Sequence, residues 1–291
     1  MIPGIIETNL TVTSRIGTLI TGDGTAHVKG AWTELIASTG GDAEEVLVAI
    51  AEVGVSTVDT SMLVDIGIGA AAAETVLIPD INCGAAGATD RPGQNKVFRI
   101  AVASGSRLSA RLQGVVLSDT ARVAIWLSRS VQHLAGGSAV EAVGEDTTTS
   151  RGTSVTPGNG AWGAWTSIGT ISADRNVFMP SVDPLGDTAI TGNGSHQLIQ
   201  IGFGASAPDA GGTAINATWR INGNSGEMMD GIFPTSAVYA DLASGQTLWA
   251  RMASGTEVDA RGVIIHAVEC PAAVAGGGVM TGRGIRVGSA H

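Results

Sequence analysis

Aromatic residues are scarce in this 291-residue chain: 1 Tyr and 4 Phe, with 6 Trp supplying most of the large rings. A core must therefore be filled by Ala, Val, Ile and Leu, which suits short, closely packed strands. Charge is scarce as well. Only 14% of residues are charged, and 16 Lys and Arg against 26 Asp and Glu leave a net charge of −10. Holding nucleic acid by its phosphates needs clustered cations, and no basic run exists, so nucleic acid is excluded as a partner. Two cysteines, Cys83 and Cys270, are too few for a disulfide framework and are expected as buried free thiols. No uncharged apolar run reaches the roughly 20 residues that span a bilayer, so no membrane is expected. Residues 1–7 lack a basic n-region and an apolar h-region, which points to synthesis in a cytoplasm without a secretory leader.

What the chain has in excess is glycine, 42 residues, and a pattern that occurs twice. The stretch 103–112, Ala-Ser-Gly-Ser-Arg-Leu-Ser-Ala-Arg-Leu, returns at 243–252 as Ala-Ser-Gly-Gln-Thr-Leu-Trp-Ala-Arg-Met, with six of ten positions identical at an offset of 140. Chance in such a composition gives roughly one match. Further pairs follow in the same order. Gly22-Asp-Gly24 answers to Gly158-Asn-Gly160, Gly30-Ala-Trp-Thr33 to Gly163-Ala-Trp-Thr166, Ile66-Gly-Ile-Gly69 to Ile201-Gly-Phe-Gly204, and Ala121-Arg122 to Ala260-Arg261. Offsets of 133 to 140 describe a tandem duplication in which only loops changed length. It divides the chain into an N-terminal arm (1–14), a first repeat (15–128), a linker (129–149), a second repeat (150–269) and a glycine-rich C-terminal arm (270–291).

Within the first repeat, strands are expected at 18–21, 32–38, 43–55, 63–68, 75–78, 97–102, 108–116 and 123–127. The last is buried on both faces. Residues 79–87 read as a long loop, and Ser104-Gly105 reads as the turn of a hairpin joining 97–102 to 108–116. One more strand is expected in the linker at 139–143. About eight short strands per half, turn signals every 8–12 residues and almost no helical period predict an all-β chain. Its two halves are tandem β-sandwiches, jelly-roll-like because the immunoglobulin Cys–Trp–Cys spacing is missing.

Trp32 and Trp165 hold equivalent places and are read as duplicated structural anchors in the core or between sheets, rather than as sugar platforms. Arg111 and Arg251 form a second equivalent pair, as do Arg122 and Arg261. They are expected to point outward and meet acidic neighbours. Trp162, Trp219 and Trp249 belong to the second repeat alone and are the candidate contacts for a glycan or a partner. His266 takes the place of Leu127 and is expected to be partly buried at a strand end. No spacing of His, Asp or Glu fits a metal, no nucleophile motif is present, and Ile66-Gly-Ile-Gly69 lacks the third glycine and helix of a dinucleotide fingerprint. The reading is therefore no catalytic residues, no cofactor, no metal and no enzyme.

Residues 30–39, Asp65-Ile-Gly-Ile-Gly69 and 103–113 together resemble the virion structural proteins of tailed bacteriophages, particularly those of marine and freshwater siphophages. The resemblance spans nearly the whole chain and is strongest in the first repeat. The second repeat departs from it, with Ser167-Ile-Gly-Thr-Ile171 where the first has Glu34-Leu-Ile-Ala-Ser38. It implies a virion component made in the host cytoplasm, without enzymatic activity: a capsid-decorating (cement) protein or a fibre- or tail-associated protein. Its partners would be copies of itself, expected as a trimer, and major capsid or tail proteins. A low-charge surface suits such permanent contacts. The alternative is an adhesin module that binds carbohydrate or a host receptor, such as a surface glycan, through the tryptophans of the second half.

Overall fold

The computed structural model describes residues 5–10, 17–51, 61–83, 94–129, 136–184, 196–224, 227–229, 237–255 and 260–271. The first half carries β1 (Ile5–Thr8), β2 (Thr18–Thr21), β3 (Thr33–Ile36), β4 (Glu45–Ala51), β5 (Met62–Ile68), β6 (Thr75–Cys83), β7 (Gln94–Phe98), β8 (Leu108–Gly114) and β9 (Thr120–Ser128). In the second half come β10 (Val140–Val143), β11 (Glu145–Asp146), β12 (Arg151–Val155), β13 (Gly158–Asn159), β14 (Thr166–Thr170), β15 (Arg175–Pro184) and β16 (His196–Phe203). They are followed by β17 (Thr213–Asn224), β18 (Glu227–Met229), β19 (Val238–Leu242), β20 (Thr247–Ser254) and β21 (Arg261–Val268).

Each half is a sandwich of two sheets. One sheet of the first half runs β1-β9-β4-β7, with β2 beside β1 on the same edge of β9; the other runs β3-β8-β5-β6. The second half repeats this as β12-β21-β15-β19, with β10 beside β12 on β21, and as β14-β20-β16-β17. The short β11, β13 and β18 are added at its edges. Apart from the β5–β6 and β16–β17 hairpins and the added β18, the chain from β2 to β9 and from β14 to β21 crosses between sheets, in the double Greek key of a jelly roll. The all-β tandem sandwich expected from the turn spacing is the observed fold.

Alternation builds both cores. Val46, Val48 and Ile50 of β4 point inward while their neighbours are partly exposed, and Leu248, Ala250 and Met252 of β20 do the same. The turn at Gly105 is duplicated to the atom. Gly105 and Gly245 have φ of 82° and 86°, open to glycine at no steric cost. The amides of Ser104 and Ser244 are each held by an aspartate, Asp42 and Asp174, at 2.8 Å.

Several expectations change. The Ser104-Gly105 turn does not close a hairpin: β7 pairs with β4 and β8 with β5, so the chain crosses from one sheet to the other there. Turn chemistry is the same for both routes, and only the packing distinguishes them. Nor does the chain loop out at Pro79. β6 continues to Cys83 on the sheet edge, where proline costs no ladder hydrogen bond, and Asp80 at φ 47° absorbs a register shift. Finally, β9 is not buried on both faces, because Arg122, Trp126 and Ser128 are partly exposed.

β21 is buried on both faces along its whole length. Val263, Ile265 and Ala267 face the core of their own sandwich. Val268 instead joins a buried cluster with Val140, Val177, Met179 and Cys270 that continues into Ile78, Ile81, Phe98 and Ile100 of the first half. Burial of each such aliphatic side chain contributes about 1.5–3 kcal/mol, so this seam holds the halves as one block. Both cysteines are free thiols inside it. His266 is wholly buried there, not half-buried at a strand end. Its Nε2 lies 2.9 Å from the Pro79 carbonyl, and Phe98 packs edge-on at 5.3 Å. Its counterpart by register is Trp126: Leu47 faces Trp126 as Met179 faces His266.

The same register separates Arg122 from Arg261. Ile20 pairs with Ala121 as Val155 pairs with Arg261, so the true offset is 140 and the Arg-to-Arg match is one residue out. One residue changes the face. Arg122 donates to the Gly17 carbonyl from outside the sandwich, whereas Arg261 is buried and donates from Nε to Gln197 at 3.2 Å.

Burial drops the pKa of His266 to about 3, aided by Lys96. The unfolded chain takes up this proton near pH 6.5, so stability is lost as pH falls below that value, by up to about 1.4 kcal/mol per pH unit. Asp80 and Glu145, whose carboxyls are pushed up by burial, act in the opposite sense at lower pH. Urea midpoints are therefore expected to fall between pH 7 and pH 5.5 in the wild type. In His266→Leu they should be lower at pH 7 but flat across that interval.

Candidate functional site

The duplicated motifs converge on the outer face of the β3-β8-β5-β6 sheet and its counterpart. On β5, Asp65 and Gly67 point away from the core, because Val64 and Ile66 point into it. A side chain at Gly67 would meet the Trp32 ring at 2.6 Å, so this glycine is the floor on which Trp32 lies. The Arg111 guanidinium stacks on the ring at 4.4 Å from its centroid. Arg111 Nε donates to Asp65 at 2.8 Å, and Lys29 donates to Asp65 at 2.7 Å and to Asp80 at 2.6 Å. The Asp80 amide adds a third donor to Asp65 at 2.9 Å. Trp32 is thus an anchor outside the sandwich rather than in its core.

In the second half, Trp165 lies over Gly202, whose added Cβ would come within 3.3 Å of the ring. Arg251 stacks on Trp165 at 4.6 Å and on Trp162 at 4.9 Å, with its guanidinium between the two rings. Register makes Gln200 the counterpart of Asp65, since both face the conserved-in-repeat arginine directly; Gln200 Oε1 accepts from Arg251 Nε at 2.8 Å. The offset of 133 that aligns Trp32 with Trp165 makes Trp162 the counterpart of Lys29. A cation and its carboxylate have been exchanged together for an aromatic ring and an amide. The arginine of the first half has an acidic neighbour; that of the second has an amide and two rings.

Trp249 stands beside Arg251 on the same face and donates from Nε1 to the Gly204 carbonyl at 3.1 Å. Its counterpart in the first half is Ser109. Trp162 and Trp249 are thereby brought to one face. Trp219 stands opposite Ile199 in the β16–β17 ladder, and its side chain lies outside the described residues. What the sequence reading missed is the role of the repeated Ile-Gly-x-Gly. Its first glycine seats a tryptophan, and its second, Gly69 or Gly204 at φ 124° or 138°, ends the strand. The signal was present in the return of both motifs, Ile-Gly-x-Gly at an offset of 135 and Gly-Ala-Trp-Thr at 133. Among the described residues, no three or more His, Cys, Asp or Glu side chains gather as a metal ligand set would.

Asp65 is nearly inaccessible and neutralises two cations. Removing it leaves buried charge without its partner, so Asp65→Ala is expected to cost about 3–5 kcal/mol. Gln200→Ala removes one hydrogen bond and should cost about 0.5–1.5 kcal/mol. Urea unfolding measures both. Lys29→Trp combined with Asp65→Gln should recover stability beyond the sum of the single changes, which a double-mutant cycle reads directly.

No family model matches the chain, and no curated protein matches it. Among solved structures, PNGF-II is similar at a TM-score of 0.36 and 8% identity, covering 89% of this chain and 67% of its own. The N-terminal CBM22-1–CBM22-2 tandem domain of Paenibacillus barcinonensis Xyn10C is similar at a TM-score of 0.24 and 11% identity, covering 91% and 98%. Likeness at this level bears on neither family nor function.

Proposed function

We propose that this chain is a non-enzymatic building block that works by assembling with copies of itself. Its place would be the exterior of a tailed-phage particle, as a capsid-decorating protein or a fibre- or tail-associated one. The observation that carries the reading is the seam: the buried cluster of the first sandwich extends onto the outer face of the second sandwich's β12-β21-β15-β19 sheet and joins the pair. Tethered binding modules need no such junction.

Two further features support it. Trp32 and Trp165 are engaged by the protein's own groups, each seated against a glycine and stacked by an arginine guanidinium. A surface with few charges is cheap to desolvate between subunits. The location on a virion rests on the resemblance carried by residues 30–39, 65–69 and 103–113.

Light scattering after size exclusion tests the reading. The purified chain is expected to run as a defined multimer with an unusually high melting temperature. A monomer with a marginal melting point would overturn it. Quenching of tryptophan fluorescence by sugars, abolished in Trp249→Ala or Trp219→Ala, would instead establish the carbohydrate-binding alternative.

A further inference from the structure

Of the two lysines in the chain, Lys29 is held between two carboxyl groups. Its Nζ lies 2.6 Å from Asp80 Oδ1 and 2.7 Å from Asp65 Oδ1. Asp65 is nearly inaccessible, and Lys29 and Asp80 are mostly buried. The three groups come from separate parts of the first half. Lys29 precedes β3, Asp65 lies on β5, and Asp80 lies on the edge strand β6.

The two carboxyl groups are differently equipped. Asp65 accepts three hydrogen bonds, from Lys29, from Arg111 Nε at 2.8 Å and from the Asp80 amide at 2.9 Å. It touches both the amine and the residue on the amine's other side, which is where a proton acceptor between them must stand. The Asp80 carboxyl is pushed up by burial, with Lys29 opposing the rise and Asp65 adding to it. A carboxyl that takes a proton readily is the electrophilic one, because a carboxylate resists attack by an amine. Nucleophile, electrophile and proton acceptor are thus in mutual contact.

We propose that Lys29 and Asp80 condense into an intramolecular amide, with Asp65 carrying the protons. Asp65 takes a proton from the ammonium and delivers it to an Asp80 oxygen. The lone pair freed on Nζ then forms the bond to Asp80 Cγ. A second proton passes from nitrogen to the same oxygen, again by way of Asp65. The C–O bond breaks, and that oxygen leaves as water with the bonding pair. One hydrogen stays on the amide nitrogen, Asp65 is unchanged, and no oxidant or other reactant is consumed. Groups held in such contact react as though at effective concentrations of about 10⁵–10⁸ M. Burial keeps out the water that would reverse the step, and a neutral amide replaces a buried charge pair.

The amide ties the segment ahead of β3 to the strand whose Asn82 donates to the Gly262 carbonyl of the second half. The second half has Trp162 and Gln200 in the places of Lys29 and Asp65, so each chain forms one such bond. The inference goes beyond the assembly reading and does not depend on it.

Intact mass spectrometry of the purified full chain tests it. The wild type is expected to be lighter than its sequence by one water. Lys29→Arg, which keeps the charge but cannot attack, and Asp65→Asn, which keeps both reacting groups, are expected at full mass. Trypsin with a glutamate-specific protease locates the bond. In the reacted chain the Lys29–Gly30 bond stays uncut, and Ile16–Glu34 remains joined to Thr75–Lys96. A wild type of full mass that trypsin cuts at Lys29 overturns the proposal. So does a water loss that persists in Lys29→Arg, or one that maps to Asp23-Gly24 or Asp230-Gly231, where aspartate can close on the next amide. Cross-linking of Asp65→Asn at the wild-type yield overturns the part given to Asp65. The deciding mass is that of the wild type, so the result does not hang on whether a variant folds.

Discussion

Burial of one sheet's second face holds this molecule together. A β-sandwich normally turns its outer faces to water, and the alternation of β4 and β20 shows that arrangement. β21 breaks it, with every residue from Arg261 to Val268 buried. Its inner face completes the second sandwich, and its outer face is closed by the first. Removing water from that outer face is what makes two duplicated domains into one body, and it sets the terms for the residues caught there. His266 is held neutral beside the Pro79 carbonyl. Asp80 and Glu145 carry carboxyls pushed up by the same desolvation, with Lys29 opposing the effect in each.

The seam also explains how the two halves diverged. After duplication both had the same surfaces, but only one copy of each became internal. On the first half's face, the lysine–aspartate–arginine group is retained where Asp65 is nearly inaccessible and must balance cations on either side. On the matching face of the second half, Trp162, Leu198 and Ala253 are partly exposed. There the group became Trp162, Gln200 and Arg251, which keeps the arginine stacked on a tryptophan while dispensing with the charge pair. Changing one partner alone leaves a charge uncompensated, and the two positions differ between the halves as a set.

How the repeats align is itself a structural result. Sequence matching paired Arg122 with Arg261 because both follow an alanine. The sheets pair Ala121 with Arg261, and the difference of one residue moves an arginine from the outer face to the interior. Gly160 shows the same ambiguity. It was matched to Gly24, yet its amide reaches the Ser254 carbonyl as that of His27 reaches Gly114, and both have φ near 60°. Identity of residue type is a weak guide to register where alanine and glycine are common, whereas a ladder of hydrogen bonds leaves no freedom.

From residue order alone came the duplication, the all-β class, the tandem sandwich and the positions of most strands, because period-two alternation and turn residues are local properties written into consecutive positions. The equivalence of Trp32 with Trp165 and of Arg111 with Arg251 came from the same source. Tertiary structure decided the rest: that the chain at Gly105 changes sheets, that Pro79 lies within a strand, and that Trp32 stacks on Gly67 outside the core. Above all it decided that β21 is buried twice while β9 is not. These depend on which surface comes to lie against which, through pairs such as His266 with Pro79 and Asn82 with Gly262, about 180 residues apart. No local pattern encodes a contact between segments so distant in the chain.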